Sequence, residues 1–180
     1  MWAKVESGCV TNIYTRPTAI TIGSVNHPAN IMQMWSASEL KAIGIYEITT
    51  NSTNFKNQEY YQNTAITYAY DSETDTVAGT YGTATAKTLA DLKTRHKVSI
   101  NSQANVLLQK YDWYTLRAAD GGTAVPSAVT TYKAAVRTKS DTMCTAVDNA
   151  ADVDALAALY VYNSDDPPVR PLGEFPSEPS

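Results

Sequence analysis

Hydrophobic periodicity changes once along this chain of 180 residues, near residue 86, and no other feature so narrows what the chain can fold into. Ahead of the change, short runs alternate. In IYEITT (45–50), Ile45, Glu47 and Thr49 point one way and Tyr46, Ile48 and Thr50 the other, as in a strand with one buried face. Behind it, Leu89, Leu92, His96, Ile100, Gln103 or Ala104, Leu107 and Tyr111 recur at steps of three or four, which predicts one amphipathic helix over about 87–110. The expected fold class is α+β: an N-terminal antiparallel β-rich lobe over 1–86, a C-terminal helical hairpin region over 87–162, and an extended Pro-rich tail over 163–180.

Turn and cap chemistry fills in the lobe. WAKVES and CVTNIYT flank a Ser-Gly break and predict an N-terminal hairpin, TAITI (18–22) is a short strand closed by Gly23, and NHP (26–28) reads as a turn. SASELKAIG carries a helix start, with Ser36 as N-cap, Glu39 closing a capping box and Gly44 past the end, so one short helix is expected at about 37–43. NSTNFKNQ (51–58) reads as loop, and residues 64–86 as a second hairpin turning at Ser72 to Asp75.

In the second part, Val125, Val129, Tyr132, Val136, Met143 and Val147 give another helical stripe, broken at Lys139-Ser140 where it should be apolar. Asp152 caps a shorter third helix. The ending, SDDPPVRPLGEFPSEPS, holds five of the eight prolines, which excludes regular structure there and predicts a segment that stays extended or orders on a partner.

Several function classes find no support in the residues. With 14 Lys+Arg against 18 Asp+Glu the formal charge is -4 and no basic run occurs, so a nucleic-acid surface is not expected. No apolar run approaches the ~20 residues of a membrane span, and MWAKVESGCV lacks a signal peptide's basic and apolar regions. The expectation is a soluble protein made in the cytoplasm of its producer.

Only two histidines occur, His27 beside a proline and His96 read as a partly exposed helix residue, and no serine or cysteine has a nucleophile's context. No catalytic residue is expected, no cofactor and no metal. DSETD (71–75) and DNAADVD (148–154) lack the ordered spacing of a calcium loop and read as a turn and a helix N-terminus. Cys9 and Cys144 read as small buried hydrophobes more readily than as a disulfide. Tyr46, Tyr60, Tyr61, Tyr68, Tyr70 and Tyr81 read as fillers of a half-buried sheet, the other reading being an aromatic platform for sugars, and Trp2 and Trp35 as core anchors.

One stretch concentrates bulky groups: DWYTLRAADGGTAVP (112–126). Gly121-Gly122 has no preceding strand and no phosphate-loop spacing, so its expected role is to end one helix and let the chain reverse before Pro126 opens the next. Trp113 and Tyr114 are then expected to pack at the elbow of the two long helices, with Arg117 and Asp120 on the turn.

Two stretches resemble a known lineage. WAKVESGCVTNIYTRPTAITIG with HPANIMQMWSASELKAIGIYEI is similar to N-terminal modules of small tail proteins of tailed bacteriophages, particularly marine and cyanobacterial ones. LLQKYDWYTLRAADGGTAVPSAVTTYKAAVR resembles the C-terminal helical segment of phage tail-fibre assembly and fibre-associated proteins, carried here by Leu107, Leu108, Asp112, Trp113, Tyr114, Arg117, Gly122, Pro126, Tyr132 and Arg137. Together they span less than half of the chain.

The resemblance implies a non-enzymatic virion protein in the tail, present in multiple copies and attached to a tail-fibre or baseplate protein. Its alternatives are a receptor-binding adhesin for host surface glycan and an assembly chaperone absent from the finished virion. The residues expected at the protein interface are Trp113, Tyr114, Arg117, Tyr132, Arg137, Leu172 and Phe175.

Overall fold

A computed structural model describes residues 1–179, and these fall into two compact units, 1–85 and the residues from Ala86 onward. The first unit opens with β1 (Trp2–Glu6) and β2 (Cys9–Tyr14), an antiparallel hairpin. Its turn residues Ser7 and Gly8 take φ of 52° and 76°, the left-handed pair that matches strand twist.

β3 (Ile20–Ile22) and β4 (Val25–His27) form a separate two-stranded ladder. The expected turn at NHP is thus corrected: Asn26 and His27 pair in β4, because Gly23, at φ 59°, already turns the chain. Next come α1 (Ile31–Met34), which no cap signalled, and α2 (Ala37–Ala42). Ser36 caps α2 as its sequence requires: its hydroxyl accepts from the Glu39 N–H (3.3 Å) while its own N–H donates to Glu39 Oε2 (2.7 Å).

The remaining strands are β5 (Ile45–Asn51), β6 (Tyr61–Gln62), β7 (Ile66–Asp71), β8 (Thr76–Tyr81) and β9 (Thr85–Ala86), the last pairing with β6. The main sheet has the order β2-β1-β5-β8-β7, and its edge strands β2 and β7 approach each other, so the sheet curls.

The lobe is not wholly antiparallel. β5 and β8 run parallel, with Ile48 opposite Val77. β7 occupies one side of β8 as its hairpin partner, and the chain between β5 and β8 is long enough to carry β8 back to the same end, as parallel pairing demands.

Leu40, Ile45, Ile20, Ile31 and Met32 form the core cluster, with Trp2, Tyr14 and Trp35 packed half-buried around it. Tyr60 and Tyr61 are buried, and Tyr46, Tyr68, Tyr70 and Tyr81 are half-buried. In the β7–β8 hairpin Tyr68 lies opposite Gly79, where an added Cβ would stand 3.0 Å from its ring. The ring fills the space that the glycine leaves. Asp75, at φ 50°, ends the turn and receives Tyr70 Oη (2.9 Å) and Lys41 Nζ (3.0 Å), tying α2 to the hairpin. These bonds hold the Asp75 carboxyl below the usual aspartate range, Lys41 contributing most. Burial and, after it, Tyr70 and Asp75 push the Tyr46 phenol up.

The second unit contains α3 (Leu89–Gln109), α4 (Asp112–Ala119), α5 (Ser127–Asn149) and α6 (Val153–Ala158). α3 and α5 pack along their lengths, burying Leu92, Ile100 and Ala104 of one helix and Val129, Tyr132, Val136, Met143 and Val147 of the other. The break at Lys139-Ser140 now has a reason. Ser140 is buried and its hydroxyl bonds Asn101 Oδ1 on α3 at 3.0 Å, so a polar pair sits in the seam.

His96 is buried too, against the ring of Tyr160 at 4.6 Å, which corrects its reading as a partly exposed residue. Asp152 accepts from the Ala155 N–H (2.7 Å), capping α6. The last residues have no regular structure, yet Leu172 is buried and its N–H donates to the Leu159 carbonyl at 3.0 Å.

Cys9, exposed, and Cys144, half-buried, are free thiols. Among the described residues no group of three or more His, Cys, Asp or Glu is placed to hold a metal, and no helix is long and apolar enough to cross a membrane.

Candidate protein-binding surface

α4 begins where α3 ends, with only Lys110 and Tyr111 between them. Asp112 in its first turn and Arg117 in its last complement the helix dipole. It ends at a paired cap: the Gly122 N–H donates to the Arg117 carbonyl (3.0 Å) and the Gly121 N–H to that of Ala118 (3.3 Å), with Gly121 at φ 80°. Gly122 is needed for a different reason, since a Cβ there would stand 2.8 Å from the Arg117 carbonyl oxygen. Gly121-Gly122 therefore stops a helix, but the helix is α4, inserted between the two long ones.

α4 buries none of its residues. Trp113 is 49% exposed and Leu116 66%. This corrects the elbow expected at Trp113 and Tyr114: the chain turns by spending a whole short helix, and the indole stays on its outer side.

What fixes α4 is a contact from α5. Lys133, with its side chain only 10% exposed, sends Nζ to Asp112 Oδ1 at 2.8 Å and to Thr115 Oγ1 at 3.2 Å. Tyr111 packs edge-on against Tyr132 (5.3 Å between centroids) and steadies the junction. Lys133→Met should cost about 1 kcal/mol, because half-exposed Asp112 regains water when the ammonium goes. Hydrogen exchange would report it as faster amide exchange over 112–119 with α5 still protected; unchanged exchange there would mean that something else holds α4.

On this fixed helix the side chains stack on one another. The Trp113 and Tyr114 rings lie 3.8 Å apart at 31°, and the Arg117 guanidinium stands 4.9 Å from the first centroid and 5.3 Å from the second. Arg117 Nε is out of reach of water and has no hydrogen-bond partner among the described residues. The result is a stiff, half-apolar cation platform with Leu116 beside it. Such a group offers contact area at little entropic cost and a planar donor for a carboxylate.

The seven expected interface residues separate accordingly. Trp113, Tyr114 and Arg117 come together on α4. Arg137 is exposed on α5. Tyr132 is 5% exposed and Leu172 3%, so both belong to the interior of the unit. Phe175 packs against Ala104, Tyr132 and Val136 of the same unit. The chain's own helices and C-terminal segment cover Tyr132 and Leu172, and Phe175 is half-buried among them.

Two residues of the surface escaped the sequence reading, Leu116 and Lys133. Leu116 lies three positions beyond Trp113 and would have joined the patch once 112–119 was read as helix. Lys133 stands four positions after Val129 and three before Val136, on the stripe of α5 that turns inward, and that spacing is the signal that could have found it.

No known family model matches the chain, and neither a curated protein nor a solved structure matches it.

Proposed function

We propose that this chain is a non-enzymatic virion protein of a tailed bacteriophage that attaches to a tail-fibre or baseplate protein through α4. The observation that carries the mode of action is the exposed Trp113, Leu116 and stacked Arg117 on a short helix that buries none of its own residues. Large apolar and aromatic groups held stiffly at the surface, with an arginine among them, have the composition of a binding hot spot. The lineage rests on the resemblance of residues 2–23, 27–48 and 107–137 to tail proteins, and the thin catalytic inventory agrees with a binding role.

The tyrosines of the sheet favour this reading over glycan adhesion. All six are buried or half-buried, and Tyr46, Tyr70 and Tyr81 are engaged with other rings of the unit, so each offers less face to a sugar than the exposed Trp113 does.

Mass spectrometry of purified particles tests the proposal. The protein is expected among their components, at a fixed ratio to one fibre or baseplate protein. Absence from particles, with the chain abundant in infected cells, would replace attachment by a transient assembly role.

A further inference from the structure

The grip on the C-terminal segment changes along its length. Leu172 is buried with its N–H bonded to the Leu159 carbonyl, and Glu174 is held by Arg170 (2.7 Å) and the Tyr162 hydroxyl (2.6 Å). Beyond Glu174 the holds thin out. Phe175 lies half-buried in the groove between α3 and α5, on Ala104, Tyr132 and Val136. Glu178 accepts from the Tyr111 hydroxyl (3.2 Å) and pairs with Lys110, both partners of that pair being half-exposed.

The fit is also loose. A recess of 320 Å³ opens on the α3 side, between Val106, Leu107 and Phe175, and one of 530 Å³ on the α5 side, between Thr131, Tyr132 and Pro176 to Pro179. The Tyr132 side chain on that wall is buried, and its hydroxyl has no partner among the described residues. A buried hydroxyl left unbonded is a cost that a better-seated occupant would remove.

We propose that the α3–α5 groove is a peptide-binding groove that takes Phe175 to Pro179 of a second copy of this chain, so that neighbouring copies are tied by exchange of their C-terminal ends. The segment already seated defines the ligand: an aromatic side chain followed by proline, then a carboxylate three positions after the aromatic to meet Lys110 and Tyr111. Every copy carries that ligand, so the partner of matching chemistry is the chain itself.

Exchange leaves Leu172 and Glu174 in their own unit and moves the chain from Phe175 onward, of which the five residues to Pro179 reach roughly 16 Å when extended. The register of the resident segment is dictated by those two anchors. An incoming segment is anchored in its own copy instead, so its register follows where that copy sits and can bring a carbonyl to the Tyr132 hydroxyl. Against this stands the resident's effective concentration, on the order of millimolar. Exchange therefore belongs to copies held side by side, whatever assembly they join.

The test uses full-length chains carrying Cys9→Ser and Cys144→Ser. One bears Lys110→Cys and the other Glu178→Cys; they are mixed at concentrations up to about 1 mM, oxidised mildly and separated without reductant. A third chain bearing both new cysteines reports docking within one copy. The expected result is a covalent heterodimer from the mixture, rising with concentration and reduced about tenfold when the Glu178→Cys chain also carries Phe175→Ala. Three results would overturn the proposal: cross-linking only within the doubly substituted chain, no cross-link of either kind, or a heterodimer indifferent to Phe175→Ala, which marks random collision.

Discussion

Replacing Trp113, Leu116 and Arg117 together by alanine is expected to weaken binding to particles grown without this protein by about a hundredfold or more, with the thermal midpoint unmoved. The two halves of this result come from one geometry. Trp113 and Leu116 face water, Arg117 stacks on the α4 rings rather than on the α3–α5 core, and no α4 residue is fully buried, so truncation removes no core contact. In a complex the same atoms become the desolvated centre of the interface, where Trp and Arg contribute most.

Titration of the particles with wild-type and variant chains, beside a melting scan of each, reads both halves. A lowered midpoint would return the patch to a packing role. Equal binding by the two chains would move the contact elsewhere on the molecule.

Gly44→Ala is expected to destabilise the first unit by about 3 kcal/mol, and Gly121→Ala the second by only about 1 kcal/mol. Both glycines end helices with left-handed backbone, at φ 77° and 80°. Their surroundings differ. A Cβ on Gly44 would stand 2.9 Å from the Val5 carbonyl oxygen of β1, whose own N–H is bonded to the Gly44 carbonyl at 2.8 Å, whereas a Cβ on Gly121 meets nothing within 4 Å. The first substitution adds a clash with backbone to the conformational cost that both share.

Urea unfolding followed by tryptophan fluorescence resolves the two, because Trp2 and Trp35 report the first unit and Trp113 the second. Equal losses at the two glycines would show that backbone conformation alone sets the cost and that β1 yields to the methyl group.

Local chemistry made parts of this architecture readable in advance. The Ser36–Glu39 capping box, the Ser7-Gly8 and Ser72 to Asp75 turns, the Asp152 cap and the helical stripe over Leu92, Ile100 and Ala104 each depend on residues within a few positions of one another. Pairing choices were not readable that way. Nothing in IYEITT or TVAGTY says that β5 and β8 run side by side in the same direction, since strand partners are chosen by the whole sheet.

The candidate surface divides along the same line. Its side chains were conspicuous in DWYTLRAADGG, and Gly121-Gly122 marked a helix end. Whether Trp113 faced inward or outward depended on Lys133, Asp112 and the two residues between α3 and α4, contacts made across the packed helices.

By itself, then, the sequence determined the α2 and α6 caps, the Ser7-Gly8 and Ser72 to Asp75 turns and the stripes of the two long helices, and which residue types could form an adhesive patch. These are decided by periodicity, caps and turns, whose energies are local. α1, α4 and β4 were not readable from the sequence. Only the tertiary structure decided that Ser140 and His96 are interior, that Tyr132 and Leu172 are covered by their own unit with Phe175 half-buried among them, and that Trp113 and Leu116 are left to water. Burial is a property of what arrives from elsewhere in the chain, and no short window of residues contains its neighbours in space.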